Sequence, residues 1–295
     1  ASFSVDARDR VGSDRSKDPG PTPPRRAWWR GVAAGLTLCA APCGLAAPAH
    51  ADIRIATYGA PFSRDGPGLL LRDLLRGDDP VLTAAIAVIT EIDPDILVLT
   101  DIDFDASGAA MGALRDALAA RGSVYPYWLQ LRPNAGMQTG LDLDGDGWLG
   151  DGSDALGFGR FAGDGGMAVL SRHSIDREAV VDLSGVLWAD LPGATLPTTP
   201  QGAPFLSEIA QGRLPVSSNG HWIVPVGADG IGRIALLVHD ATTPVFDGDE
   251  DLNGLRNMDE NRMWRLVLDG WAGPPPVDFV IAGNANLDPE DGEGR

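Results

Sequence analysis

The sequence predicts an α/β domain, and three observations carry that expectation. Continuous apolar runs of strand length recur at 95–100, 167–170, 233–238 and 277–282. Segments with the apolar spacing of helices alternate with them, at 69–75, 80–92, 109–121 and 257–271. The residues from 52 onward suffice for one domain with a substantial core, and they contain no internal repeat and no interdomain linker.

The chain begins well before that domain. Arg25, Arg26 and Arg30 precede a small, apolar run at 31–47, and Ala49-His50-Ala51 supplies small residues at cleavage spacing. Residues 25–51 therefore read as a secretory signal cut between Ala51 and Asp52. The run is too short and too rich in Ala and Gly for a membrane span. Arg25-Arg26-Ala-Trp-Trp-Arg30 suits a twin-arginine export route, and general secretion suits it equally. Residues 1–24, rich in Pro, Ser and charge, are either a disordered leader or a start assigned too far upstream. The first residue is Ala rather than Met, which points to a fragment. Both cysteines, Cys39 and Cys43, fall inside the signal, so no disulfide is expected in the domain. No later segment is apolar for long enough to span a bilayer. An exported monomer, periplasmic or secreted, is the expectation.

From Asp52 the elements follow in order. Asp52-Ile-Arg-Ile-Ala-Thr-Tyr58 alternates and is β-rich, a first strand. Two helices follow at 69–75 and 80–92, the second with Asp78 or Asp79 as its cap. The strand 95–100 ends on Asp101-Ile-Asp103-Phe-Asp105, and a helix rich in Ala and Leu spans 109–121. A long Gly/Asp-rich connection occupies 134–166, ahead of the strand 167–170 and the turn Ser171-Arg-His-Ser. A Pro-rich stretch at 191–214 has no period. Strands follow at 222–226 and 233–238, the latter ending on His239. The helix 257–271 and the strand 277–282 close the pattern, with Gly283 turning the backbone sharply at the strand end.

Charge narrows the function classes. The segment before Asp52 holds seven of the 23 basic and four of the 41 acidic residues. That leaves 16 arginines, no lysine and 37 acids, a formal charge of −21. Such a surface repels nucleic-acid backbones, so a nuclease built on it needs metal ions or a local basic patch. The tryptophans lack the aromatic–basic interleaving of a base-stacking surface. The sequence holds neither a Gly-rich phosphate loop nor a Gly-x-Ser-x-Gly elbow.

Several segments in this order resemble the endonuclease/exonuclease/phosphatase superfamily, the fold of deoxyribonuclease I. The family's first strand ends Thr-Phe/Tyr-Asn, matched by Thr57-Tyr58-Gly59. Its Pro-Asp strand ending Gln-Glu is matched by Pro94-Asp95-Ile-Leu-Val-Leu followed by Thr100-Asp101. Gly166-Met-Ala-Val-Leu-Ser-Arg172 matches a third strand. His239, then Asn261-Arg262 on a helix, and finally Gly283-Asn284-Ala285-Asn286 match the remainder. The resemblance implies a four-layer αββα sandwich, two mostly antiparallel sheets with helices outside. It implies a hydrolase of phosphate esters or diesters using Mg²⁺ or Mn²⁺ held at Asp101, with His239, Asn284 and Asn286 as catalytic residues converging at one end.

Three departures qualify it. Gly59 replaces an Asn and offers no side-chain ligand. Asp101 replaces Glu and is shorter by one methylene. Asn284 replaces an Asp, and an amide does not act as a general base near neutral pH. The chain also stops nine residues after Asn286, before the family's Ser-Asp-His, so a domain truncated at its C-terminus is expected over 52–295. The alternative function is a catalytically impaired member serving as a calcium-stabilised binding module.

A second cation is expected elsewhere. Asp142-Leu-Asp144-Gly-Asp146-Gly147 has the spacing in which alternating carboxylates converge on one Ca²⁺ and a glycine permits the turn. The twelfth position is Ser153 rather than Glu, with Asp151 or Asp154 as substitutes, so a structural Ca²⁺ is expected in loop 142–154; a solvated acidic loop is the alternative. Asp247-Gly-Asp249-Glu-Asp251 repeats the spacing loosely and reads as a flexible surface loop. His173 reads as a turn residue and His221 as a structural one.

Overall fold

Period-two patterning of the strands decides how the layers stack. The computed structural model describes residues 52–228, 232–288 and 290; the expected leader and signal, 1–51, lie outside the described residues. One sheet holds β1 (Ile55–Phe62), β2 (Ile96–Ile102), β3 (Tyr127–Leu129) and β4 (Gly166–Ser171), ordered β1-β2-β4-β3. The other holds β5 (Ser174–Ile175), β6 (Val181–Asp182), β7 (His221–Ala228), β8 (Gly232–Asp240) and β9 (Phe279–Asn284), ordered β5-β7-β8-β9 with β6 beside β7. The pairs β1/β2 and β8/β9 are parallel and the rest antiparallel, so both sheets are mixed.

Alternate residues of a strand face opposite ways. Ile96 and Val98 of β2 therefore meet Val224, Leu236 and Val238 in a core between the sheets. Leu97 and Leu99 pack the other way, against α1 (Leu69–Arg76), α2 (Pro80–Ile92) and α3 (Ala109–Ala119). In β8, Leu237 faces outward onto Trp264 and Val267 of α5 (Leu252–Leu268). Helices, sheet, sheet and helix make the four layers that the sequence led us to expect.

Local chemistry sets the element ends. Asp79 caps α2, its Oδ1 accepting from the backbone N–H groups of Val81 and Leu82 at 2.8 and 2.9 Å. Arg172 pairs with Asp93 and Asp95 and stacks over Tyr125, tying the start of β2 to the end of β4. Three expectations need correcting. Helix α5 starts at Leu252 rather than 257, because the Asp247 Oδ2 accepts from the N–H of Asn253 at 2.6 Å, so the second acidic loop caps a helix. Strand β9 runs through Gly283 to Asn284; a Cβ at Gly283 (φ 143°) would lie 1.8 Å from the His239 carbonyl oxygen, so close approach to β8 demands the glycine. The Pro-rich stretch is not patternless: Leu191, Leu206, Ala210 and Leu214 join Trp188 and Met263 in a cluster beside α5, with α4 (Glu208–Gln211) within it.

Candidate active site

A bulge at the end of β2 opens the site. Pairing shifts register between Gly59 and Phe62 on β1 and between Leu99 and Ile102 on β2, and Asp101 between them takes φ 59°. Left-handed backbone costs a non-glycine residue about 1–2 kcal/mol. The distortion lets Leu99 and Ile102 both stay in the helix-side core while Asp101 turns to a cleft.

That cleft, about 410 Å³, is lined by Asp101, Arg160, Asp164, Asn219, Asp240 and Asn286 among others. Strand parity puts Asp240 there: Leu236 and Val238 face the central core, so the next residue on their side is Asp240. His239 faces the other way, and this departs from the expected convergence with Asp101. Its Nε2 lies 3.2 Å from the Asn261 Oδ1, its ring packs beside His221 and Trp264, and burial lowers its pKa. The Nδ1 is buried without a hydrogen-bond partner.

The two asparagines divide their work. Asn286 lines the cleft in a left-handed conformation (φ 46°), donating from Nδ2 to the Ala241 carbonyl at 2.6 Å. Asn284 sits behind it, directly across from Asp240 in the parallel pairing. Its Oδ1 accepts from the Asn286 N–H at 2.9 Å, which leaves its amide to donate to Asp240. The gap expected at Gly59 is not open space: a Cβ there would come within 3.3 Å of the Thr100 Oγ1.

Sequence reasoning missed Asp240, Asn219, Arg160 and Asp164. Asp240 carried a signal, since it follows His239 and so has the opposite parity. Arg160 and Asp164 lie in the long 134–166 connection, where period says nothing. Asp164 accepts from the Arg160 Nε at 2.9 Å and Nη2 at 3.1 Å, and from the Ser63 Oγ at 2.7 Å. Asn219 is nearly buried; its Nδ2 donates to the Gly165 carbonyl and to the Asp240 Oδ2, at 2.7 and 3.0 Å. Helix α5 clamps the rim, with Glu260 accepting from the backbone N–H groups of Ser218 and Thr242.

The cleft's electrostatics follow from burial. Asp240 is pushed up to about 7 by burial and by the charges of Glu260 and Asp101, against hydrogen bonds from Asn284 and Asn219. Desolvation by the cleft wall and the Asp164 charge raise Asp101 to about 6, although the residue is exposed at the end of β2. Burial raises Asp103 to about 6 as well, though it accepts from the backbone of Gly165 and Arg64. Asp164 is also buried, but its bonds from Arg160 hold it below the usual range. Carboxylate and amide side chains line this cleft together, and the Asn219 Oδ1 is buried with no donor. That donor set is what a hard divalent cation takes.

Loop 142–154 forms a separate group. Ligand atoms of Asp142, Asp144 and Asp146 lie within 4.8 Å of one another, all exposed. Asp154 is instead buried and closes the loop, accepting from the N–H groups of Leu143 and Gly150 at 2.9 and 2.7 Å.

Comparison with known proteins gives one family and no curated relative. The sequence profile described as the Endonuclease/Exonuclease/phosphatase family matches residues 71–295. No curated protein matches the chain. Among solved structures, an endonuclease/exonuclease/phosphatase from Beutenbergia cavernae DSM 12333 is 20% identical, covering 80% of this chain and 47% of its own, with a TM-score of 0.44. Beta toxin from Staphylococcus aureus with bound magnesium ions is 12% identical over 81% of this chain and 67% of its own, TM-score 0.41. ANGEL2, a 2',3'-cyclic phosphatase, is 14% identical over 81% and 54%, TM-score 0.42. The chain thus spans about half the length of the first of these structures.

Proposed function

The chain belongs to the endonuclease/exonuclease/phosphatase family, and from that premise we propose that it hydrolyses phosphate esters or diesters with the help of a divalent cation, Mg²⁺ or Mn²⁺. The observation that carries this is the cleft in which a bulge turns Asp101 towards Asp240, Asn219 and Asn286. Asp101 holds the cation, which when bound would withdraw charge from the phosphoryl oxygens. Arg160, the one basic residue on that lining and pinned by Asp164, donates to the phosphate. Asn286 contacts substrate or water, and Asn284 orients it through its N–H. His239 acts from behind as a positioning residue, because its partner Asn261 also donates to the Ala285 carbonyl at 3.1 Å.

Small phosphomonoesters and phosphodiesters assayed with Mg²⁺, Mn²⁺ or chelator test this. Cation-dependent turnover of either class supports it; none with any cation leaves the second reading, a binding module, which Gly59 and Asn284 favour. The proposal extends to a structural Ca²⁺ at Asp142, Asp144 and Asp146, supported by their convergence. It extends also to export, periplasmic or secreted, supported by the arginine-led apolar segment at 25–51.

A further inference from the structure

We propose that Asp240 and the Asn219 Oδ1 complete the cation site with Asp101, so that the carboxylate missing at position 284 is supplied from the neighbouring strand. The inference rests on the cation-dependent reading of the cleft and names ligands that the family pattern does not carry over. Register makes the exchange possible: Asp240 on β8 lies directly across from Asn284 on β9. The strand end therefore keeps a carboxylate, carried on β8 instead of β9.

Asn219 points independently to a ligand. The residue is 6% exposed, and its amide is aimed at the cluster through the bond from Nδ2 to the Asp240 Oδ2. Both Nδ2 partners, the Gly165 carbonyl and Asp240, are acceptors, so the amide is correctly oriented and its Oδ1 is a genuine orphan among the described residues. A buried acceptor left without a donor is costly. A cation shared with Asp101 and Asp240 would satisfy it, and it would offset the repulsion between two carboxylates that line one cleft.

Mn²⁺ titration followed by electron paramagnetic resonance, with thermal melting alongside, tests the assignment. It is run in the wild type and in Asp144→Asn, so that ions held by the exposed 142–146 loop are subtracted. The expected result is one cleft site whose dissociation constant weakens at least about tenfold in Asp101→Ala, Asp240→Asn and Asn219→Ala, as even outer-shell partners are worth about 10–100-fold. Because Asp240→Asn keeps the side chain's shape and removes only its charge, it should stay folded; if it does not, Asn219→Ala decides alone. A cleft site weakened by Asp101→Ala but untouched by Asp240→Asn and Asn219→Ala overturns this assignment and leaves the cation-dependent reading standing. A wild type that binds no Mn²⁺ beyond the 142–146 loop overturns both.

Discussion

Two histidines on paired strands show how a single side chain's surroundings fix its state. His221 and His239 face each other across β7 and β8, and both turn to α5. The His221 Nε2 lies 3.0 Å from the Glu260 carbonyl oxygen, which can only accept, so the ring is protonated there and its Nδ1 accepts from the Ser217 hydroxyl. Burial, then the neighbouring His239, pushes its pKa down to about 3. An unfolded histidine titrates near 6.5, so between those values the unfolded chain binds the extra proton and stability falls as pH falls. At pH 5 the loss from His221 is about 2 kcal/mol relative to pH 7. Urea unfolding at both pH values should show the wild type losing more stability than His221→Gln by roughly that amount; equal losses would refute it. The raised carboxylates, Asp101, Asp103 and Asp240, act in the opposite direction in both proteins and cancel in the comparison. His221 was legible as a structural residue because nothing catalytic pointed to it. His239 was assigned to the site by its place in the family order, and one residue of parity separates it from the cleft that Asp240 lines.

The long strands and helices were legible because burial imposes a period on them. The boundary of α2 was legible too, since Asp78 or Asp79 offered a cap, and Asp79 is the one that fills it. Three of the shortest strands, β3, β5 and β6, run for only two or three residues, too few to show alternation. Connections carry no period at all, yet the 134–166 segment supplies Ala135, Phe158, Arg160, Asp164 and Gly165 to the cleft. Its acidic turn was recognisable because ligand spacing is itself a pattern. With Asp142, Asp144 and Asp146 holding Ca²⁺, melting with the ion and then with chelator should differ, by about 2.7 kcal/mol when free ion is a hundredfold above its dissociation constant. Asp144→Asn should abolish the difference. Identical melting curves in the wild type would leave a solvated acidic loop. The same loop's buried Asp154 already holds the backbone turn, so loss of the ion should loosen the loop without unfolding the sandwich.

At the scale of the whole molecule, acidic charge opposes the phosphate binding proposed for the cleft. The cation proposed for the cleft and Arg160 on its wall would be the local remedy for a surface that otherwise repels anions. No helix among the described residues is long and apolar enough to cross a membrane. Export predicts a mature chain that begins at Asp52, and N-terminal sequencing of protein recovered outside the cytoplasm checks this; a chain retaining Trp28 and Trp29 would refute it. The layered architecture was legible from strand and helix patterning joined to the family resemblance. The lining of the cleft was not, because it depends on a bulge and on cross-strand register. The central claim is that the Asp101 cleft performs cation-dependent phosphoester hydrolysis. The direct measurement is the steady-state hydrolysis of bis(p-nitrophenyl) phosphate and p-nitrophenyl phosphate by wild type and Asp101→Asn across a Mn²⁺ series. The account predicts wild-type turnover of at least one substrate that rises with Mn²⁺, vanishes with chelator and falls on the order of 10²-fold or more in Asp101→Asn. Equal rates in the two proteins, or turnover indifferent to chelator, would contradict it.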